Sequence, residues 1–217
     1  PSQTLMLDVC DDSNPLSVFL GNPSLKSSYE YYCSVQWRGF KQEKMRQWNL
    51  GLYLHTIDNA IGQLRQFNPQ NGGYIYIPWN IDGNRGLRAT GIISQSVDKE
   101  KHWFLNIGTN VSLNRSVDFA NAKTTADFCK SIVHNLHVSP NAGIDYRYSK
   151  WHASFKASAD WERLTSAQEG FETLSQVDFL YTISLNAPLL FSIDLNTDMN
   201  LFMRRGYSNR AMNTDEW

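Results

Sequence analysis

The sequence contains no stretch of about 18 consecutive apolar residues, which removes a transmembrane helix from consideration. It has no excess of either charge, with 20 Lys and Arg against 21 Asp and Glu and a net charge of −1. A balanced chain offers no basic field for nucleic acid and no acidic tail for a basic partner. Its three cysteines, Cys10, Cys33 and Cys129, are odd in number and far apart. They build neither a disulfide framework nor a metal knuckle, and are expected as free or incidentally paired thiols. GxSxG, HExxH, paired CxxC and Walker sequences are missing, so no catalytic residue, metal or cofactor is assigned and no enzyme is expected. A charged n-region followed by an apolar h-region is missing too. The chain starts at Pro1 and stops at Trp217 in what reads as the start of another segment, so it is expected to be a piece of a longer protein.

What the sequence does have is alternation. Between Leu190 and Arg204, Phe191, Ile193, Leu195, Thr197, Met199, Leu201 and Met203 form one set. Ser192, Asp194, Asn196, Asp198, Asn200 and Arg204 form the other, with Phe202 the single lapse. A β-strand sends successive side chains to opposite faces, so this segment has one apolar and one polar face. The polar set is too hydrophilic for a packed interior, and the run exceeds the usual soluble strand. A wall between lipid and a watery lumen has this pattern, and a mean hydropathy of −0.44 is compatible with it because every apolar residue is diluted by a polar neighbour.

The pattern recurs over residues 28–38, 48–67, 74–96, 103–114, 132–148, 151–162, 177–185 and 191–204. The second of these is expected to carry a bulge near Asp58, where the apolar parity changes, and the third to break near Asp82, Gly83 and Asn84. Charged turns at 41–44 and 98–101, the Asn68–Gly73 turn and the minimal Ser149-Lys150 turn separate the strands. Residues 116–126 and about 165–175 read as longer loops, and Pro188 as a turn residue. The expected fold is all-β: an antiparallel up-and-down meander of about eight long strands, one part of a large transmembrane β-barrel occupying residues 1–217. Leu50, Leu52, Leu105, Ile107, Phe155, Ile183, Ile193 and Leu195 are expected to face lipid, and Asn106, Asn110, Lys156, Asp194, Asn196 and Asp198 the lumen. Aromatic residues gather beside the short turns, where Trp37, Trp48, Trp103, Tyr148, Trp151 and Phe191 read as an interfacial girdle. A soluble β-sandwich that binds carbohydrate through exposed aromatics is the alternative from another class, although its strands are usually about 5–6 residues long.

Apparent sites are weaker. Asp194, Asn196, Asp198 and Asn200 mimic half of a calcium loop, but the glycine and terminal glutamate are missing, and strand neighbours two apart stand about 7 Å from one another. His134 and His137 are three apart, which puts them on opposite faces of a strand. His152, Lys156, Asp160 and Glu162 share a face and read as paired charges of a lumen wall. Ligand contacts, if the chain makes them, are expected from loops at 68–74, 115–125, 162–175 and 204–210.

Two segments carry a resemblance. Asp11-Asp12-Ser13-Asn14-Pro15-Leu16 with Gly21-Asn22-Pro23-Ser24-Leu25-Lys26 resembles the GNPxLKPE-like segment leading into a mid-barrel strand of TonB-dependent outer-membrane receptors. Asn80-Ile81-Asp82-Gly83-Asn84-Arg85-Gly86 is similar to an asparagine–glycine stretch of the same family. Ser27-Ser28 stands where that family usually has proline and an acid. The resemblance implies the bacterial outer membrane, a barrel of about twenty-two strands closed by a plug, and nutrient uptake by ligand binding and gated passage. It also implies partners: membrane lipid, the remaining barrel and plug, the TonB complex, a surface lipoprotein, and a small-molecule, glycan or peptide ligand. A passive porin or structural barrel is the neighbouring alternative.

Overall fold

The computed structural model describes residues 3–119, 130–168, 170–188 and 194–217. A single helical turn, Gln3–Met6, leads into two short strands, β1 (Cys10–Asp11) and β2 (Ser17–Leu20). Then come β3 (Tyr29–Lys41), β4 (Arg46–Asp58), β5 (Ala60–Asn68), β6 (Gly73–Ile81) and β7 (Asn84–Ser96). The remainder is β8 (Trp103–Phe119), β9 (Lys130–Tyr148), β10 (Trp151–Ser166), β11 (Leu174–Pro188), β12 (Asp194–Arg205) and β13 (Asp215–Glu216).

The main sheet is antiparallel and has nine strands in the order β13-β12-β11-β10-β9-β8-β7-β4-β3. Since β13 contributes two residues, eight long strands build it, in meander order, as the alternation requires. The sheet is open: β3 at one end and β13 at the other are edges. The longest strand is β9, where the longest alternating run lies.

One departure from the sequence pattern is instructive. The expected strands 48–67 and 74–96 are each divided, and their outer halves β5 and β6 form a hairpin belonging to a second sheet, in the order β1-β2-β6-β5. Both breaks carry left-handed backbone, at Asn59 (φ 52°) and Gly83 (φ 114°). They are tied together by the Asn59 N–H, which donates to Asp82 Oδ1 at 2.7 Å. Beyond Asn84, β8 loses its β7 partner, and the Asn84 side chain bonds the backbone of Val117 instead, accepting from its N–H at 2.8 Å. Ala60, Ile81 and Val117 form a buried apolar cluster there, packed by Ile57, Phe119 and Ile132.

Three smaller corrections concern strand limits. β8 extends through residues 116–119, which had read as loop, because Val117 and Phe119 pair with Ile132 and Lys130. β11 begins at Leu174, and Pro188 is its last residue, opposite Asp194, rather than a turn residue. A proline at a strand end costs no ladder hydrogen bond in the sheet interior.

Candidate functional site

The two faces of the main sheet are the chemically informative feature. Directly opposed residues in antiparallel strands share a face, so register converts the sequence pattern into surfaces. One row runs Val35, Leu52, Ala89, Val111, Val138, Trp161 and Val177 across seven strands. The next runs Trp48, Ile93, Ile107, Ala142, Ala157, Tyr181 and Leu201. A third joins Leu105, Ile144, Phe155, Ile183 and Met199. Register therefore puts Leu50, Leu52, Leu105, Ile107, Phe155, Ile183 and Leu195 on one apolar face, while Ile193 lies outside the described residues.

That face is uncovered: Val35, Leu52, Ile107, Phe155 and Ile183 are between 41% and 62% exposed. On β8 the exposed residues up to Leu113 are Trp103, Ile107, Thr109 and Leu113, all of the apolar set. The polar set of the same strand is better shielded, with Phe104, Asn106, Asn110, Ser112 and Asn114 half-buried and Gly108 buried. From Trp103 to Leu113 the apolar band covers about 33 Å of strand at ~3.3 Å per residue. A tilt of about 40° reduces this to about 25 Å, the height of a barrel's apolar belt.

The aromatic residues mark one end of this band. Trp37 meets Trp48 edge-on with ring centroids 5.8 Å apart, Trp103 lies 4.8 Å from Tyr146, and Tyr148 lies 4.9 Å from His102. Trp151 opposes Tyr148 across the two-residue turn. Five of the residues expected to form a girdle, Trp37, Trp48, Trp103, Tyr148 and Trp151, sit on the apolar face beside the short turns; Phe191 lies outside the described residues.

On the opposite face register gathers Asn106, Asn110, Lys156, Asp194, Asn196 and Asp198. Asn106 accepts from Ser94 Oγ at 2.5 Å and donates to Asp145, and Asp145 also meets His152 Nε2 at 3.3 Å. Asn110 accepts from Arg88 Nε at 2.8 Å. Towards the loops, His137 Nε2 lies 2.5 Å from Asp160, while Glu162 accepts from Asn135 at 2.9 Å and Gln176 at 3.3 Å. The Tyr207 hydroxyl donates to both carboxylate oxygens of Asp178 at 2.9 and 3.0 Å. Burial and the neighbouring Asp178 raise the Tyr207 phenol above its ordinary value. The lapse at Phe202 is matched by Leu180 directly opposite.

His134 and His137 fall on opposite faces, opposite Arg115 and Ser112 respectively. Among the described residues no group of three His, Cys, Asp or Glu is placed to hold a metal ion. Cys10 and Cys33 are free and exposed, and Cys129 lies outside the described residues. Of the four expected contact loops, the 68–74 segment is the tip of the β5–β6 hairpin, beside an aromatic cluster in which the exposed Phe19 stacks on the half-buried Tyr76 at 4.8 Å and Arg65 covers the half-buried Tyr74 at 4.2 Å. The others are shorter than expected, since strand covers 115–119, 162–166, 174–175 and 204–205.

Sequence reasoning missed the basic residues that close the apolar band on the loop side: Arg85, Arg115, His134 and Arg163. The signal was present, because each follows the apolar parity of its own strand one step past Leu87, Leu113, Leu136 and Trp161. Compared with family models, curated proteins and solved structures, the chain finds no match.

Proposed function

We propose that this chain is part of the membrane-spanning barrel of a TonB-dependent outer-membrane receptor, a wall that admits a nutrient by ligand binding and gated passage. The observation that carries the membrane part of this reading is the inverted exposure of the main sheet. Ile107 is 53% and Ile183 52% exposed, while Ser94, Asp145 and Ser154 on the polar face are buried. Water-soluble sheets bury the apolar side, and a contiguous apolar surface of this extent is a membrane or partner surface. A sandwich needs a second sheet over those rows, and among the described residues the four-stranded sheet takes its contacts from the outer end of β8 instead.

The function of such a wall is solvation. It offers hydrocarbon to lipid and hydrogen-bonding groups to a lumen, and every backbone group inside the membrane must be paired within the sheet. The receptor assignment is supported by the Asp11–Leu16, Gly21–Lys26 and Asn80–Gly86 segments alone. No enzyme activity is part of the proposal, since passage requires no covalent step.

The test is to express the full chain with and without detergent. Aggregation in water and a β-rich, detergent-dependent particle with blue-shifted tryptophan emission support the wall; a monodisperse, detergent-free monomer overturns it. Sequencing the flanking coding DNA tests the receptor. A plug-like domain upstream supports it, and a barrel without one replaces it by a passive pore.

A further inference from the structure

We infer that the loop-side border of the apolar face binds an anionic lipid, its phosphate seated among Arg85, Arg115 and Arg163 and its acyl chain against Leu87, Leu113 and Leu136. The inference rests on the membrane reading above and adds a ligand to the outer surface of the wall.

Register supplies the first argument. Arg85 stands directly opposite Arg115, and Arg115 directly opposite His134, on three successive strands. Like charges facing one another across a sheet are destabilising unless an anion lies between them. Among the described residues no carboxylate comes within 4.0 Å of Arg85, Arg115 or Arg163. Arg115 donates to the Gly83 carbonyl at 3.2 Å, which fixes its guanidinium and leaves most of its donors free.

The second argument is the distribution of charge between the faces. The acids Asp160, Glu162 and Asp178 belong to the polar face and are engaged there by His137, Asn135 and Tyr207. On the apolar face Asp58 follows Thr56, which opposes Arg85, by one same-face step, but it does not come within 4.0 Å of any of the three arginines. Guanidinium forks match phosphate oxygens in pairs, and at the edge of the hydrocarbon their attraction is less screened than in water.

The third is shape. A groove of about 1000 Å³ opens at this place, lined by the three arginines and by Leu54, Leu87, Leu113 and Leu136. A free inorganic anion has no use for an apolar floor, and a phosphocholine headgroup would bring its own cation against the arginines. An anionic headgroup with attached acyl chains satisfies both halves of the groove.

The experiment is native mass spectrometry of the full chain in a maltoside detergent, with dioleoylphosphatidic acid or dioleoylphosphatidylcholine as probe. Phosphatidic acid is expected to be retained about tenfold better, and the preference to vanish in R85Q/R115Q/R163Q while R88Q on the polar face leaves it intact. Arg163→Gln alone, whose side chain makes no hydrogen bond among the described residues, gives the same readout if the triple variant does not fold. Equal retention of the two lipids, a preference that survives in the variants, or displacement by millimolar inorganic phosphate overturns the lipid site. Detergent dependence is read before lipid is added. A chain that is soluble alone overturns the membrane reading, whereas one that needs detergent but shows no phosphatidic acid preference overturns only this inference.

Discussion

Lys26 and Asn80 exchange hydrogen bonds: the Lys26 N–H donates to Asn80 Oδ1 at 2.7 Å, and Asn80 Nδ2 donates back to the Lys26 carbonyl at 3.0 Å. Asn80 Nδ2 also reaches the Asn59 carbonyl at 2.9 Å, and Asn22 Nδ2 donates to the Pro78 carbonyl at 3.0 Å. The segment before β3 is therefore fastened to the hairpin that leaves the main sheet after β4. This clasp sets where the edge strand begins. Asn80→Ala removes three bonds in a half-buried place, at about 0.5–1.5 kcal/mol each. The loss is expected to be local: faster amide exchange at Lys26 and protease cutting near residues 22–28, with β8 to β11 unchanged. Unchanged exchange at Lys26 would show that the clasp contributes nothing.

The turn between β7 and β8 depends on Asp98. Burial opposes its ionisation, but the N–H groups of His102 and Trp103 bond its carboxylate at 2.9 and 2.8 Å and, with the Ser96 hydroxyl, hold it below the ordinary value of 3.8. A folded-state value lowered in this way gives stability that is present above the unfolded value and lost as pH falls through the folded one. The protection of the His102 and Trp103 amides relative to their intrinsic exchange rates is thus expected to fall below about pH 4 and to be small at neutral pH in Asp98→Ala. A protection factor unchanged across that range would contradict this.

The sequence made the strands legible wherever alternation held, because a period of two states both the strand and its faces. The meander order followed from Ser149-Lys150 and the other turns, which leave consecutive strands no choice but to pair. The β5–β6 hairpin was not legible as a separate sheet. Its residues alternate like those of β4 and β7, and the departure depends on backbone angles at Asn59 and Gly83. The pairing of Ser17–Phe19 with Tyr74–Tyr76 is parallel and long-range, and four residues of β2 carry too little pattern to announce it. The opposition of Arg85 and Arg115 was invisible for another reason: it is a property of register between strands thirty residues apart in sequence.

Tyr207 acts as a latch between the segment after β12 and Asp178 on β11. Its phenol is raised above 10.0 by burial and by the Asp178 carboxylate that its hydroxyl must bond. A raised folded value gives stability that is complete below the unfolded value and lost as pH rises through the folded one. Tyr207→Phe is expected to remove a titration step above pH 10 from the ultraviolet difference spectrum and to loosen residues 206–214 at neutral pH by about 1 kcal/mol. A step that persists in the variant belongs to another tyrosine.

Ile107 provides the sharpest test of the wall, because each setting gives its replacement by arginine a different cost. Ile107 is 53% exposed at the middle of the apolar band. Facing water, arginine there would be neutral or would improve solubility, since exposed substitutions usually fall within about 0.5 kcal/mol. Facing hydrocarbon near the midplane, it costs about 2–4 kcal/mol. Ser139, opposite Asn110 on the polar face, is the matched control: Ser139→Arg is expected to change stability by less than about 1 kcal/mol. Urea unfolding of both variants in lipid vesicles, followed by tryptophan emission, separates these cases. A large loss for Ile107→Arg with little change for Ser139→Arg supports the assignment of faces, and the reverse order would place the polar side against lipid and invert it.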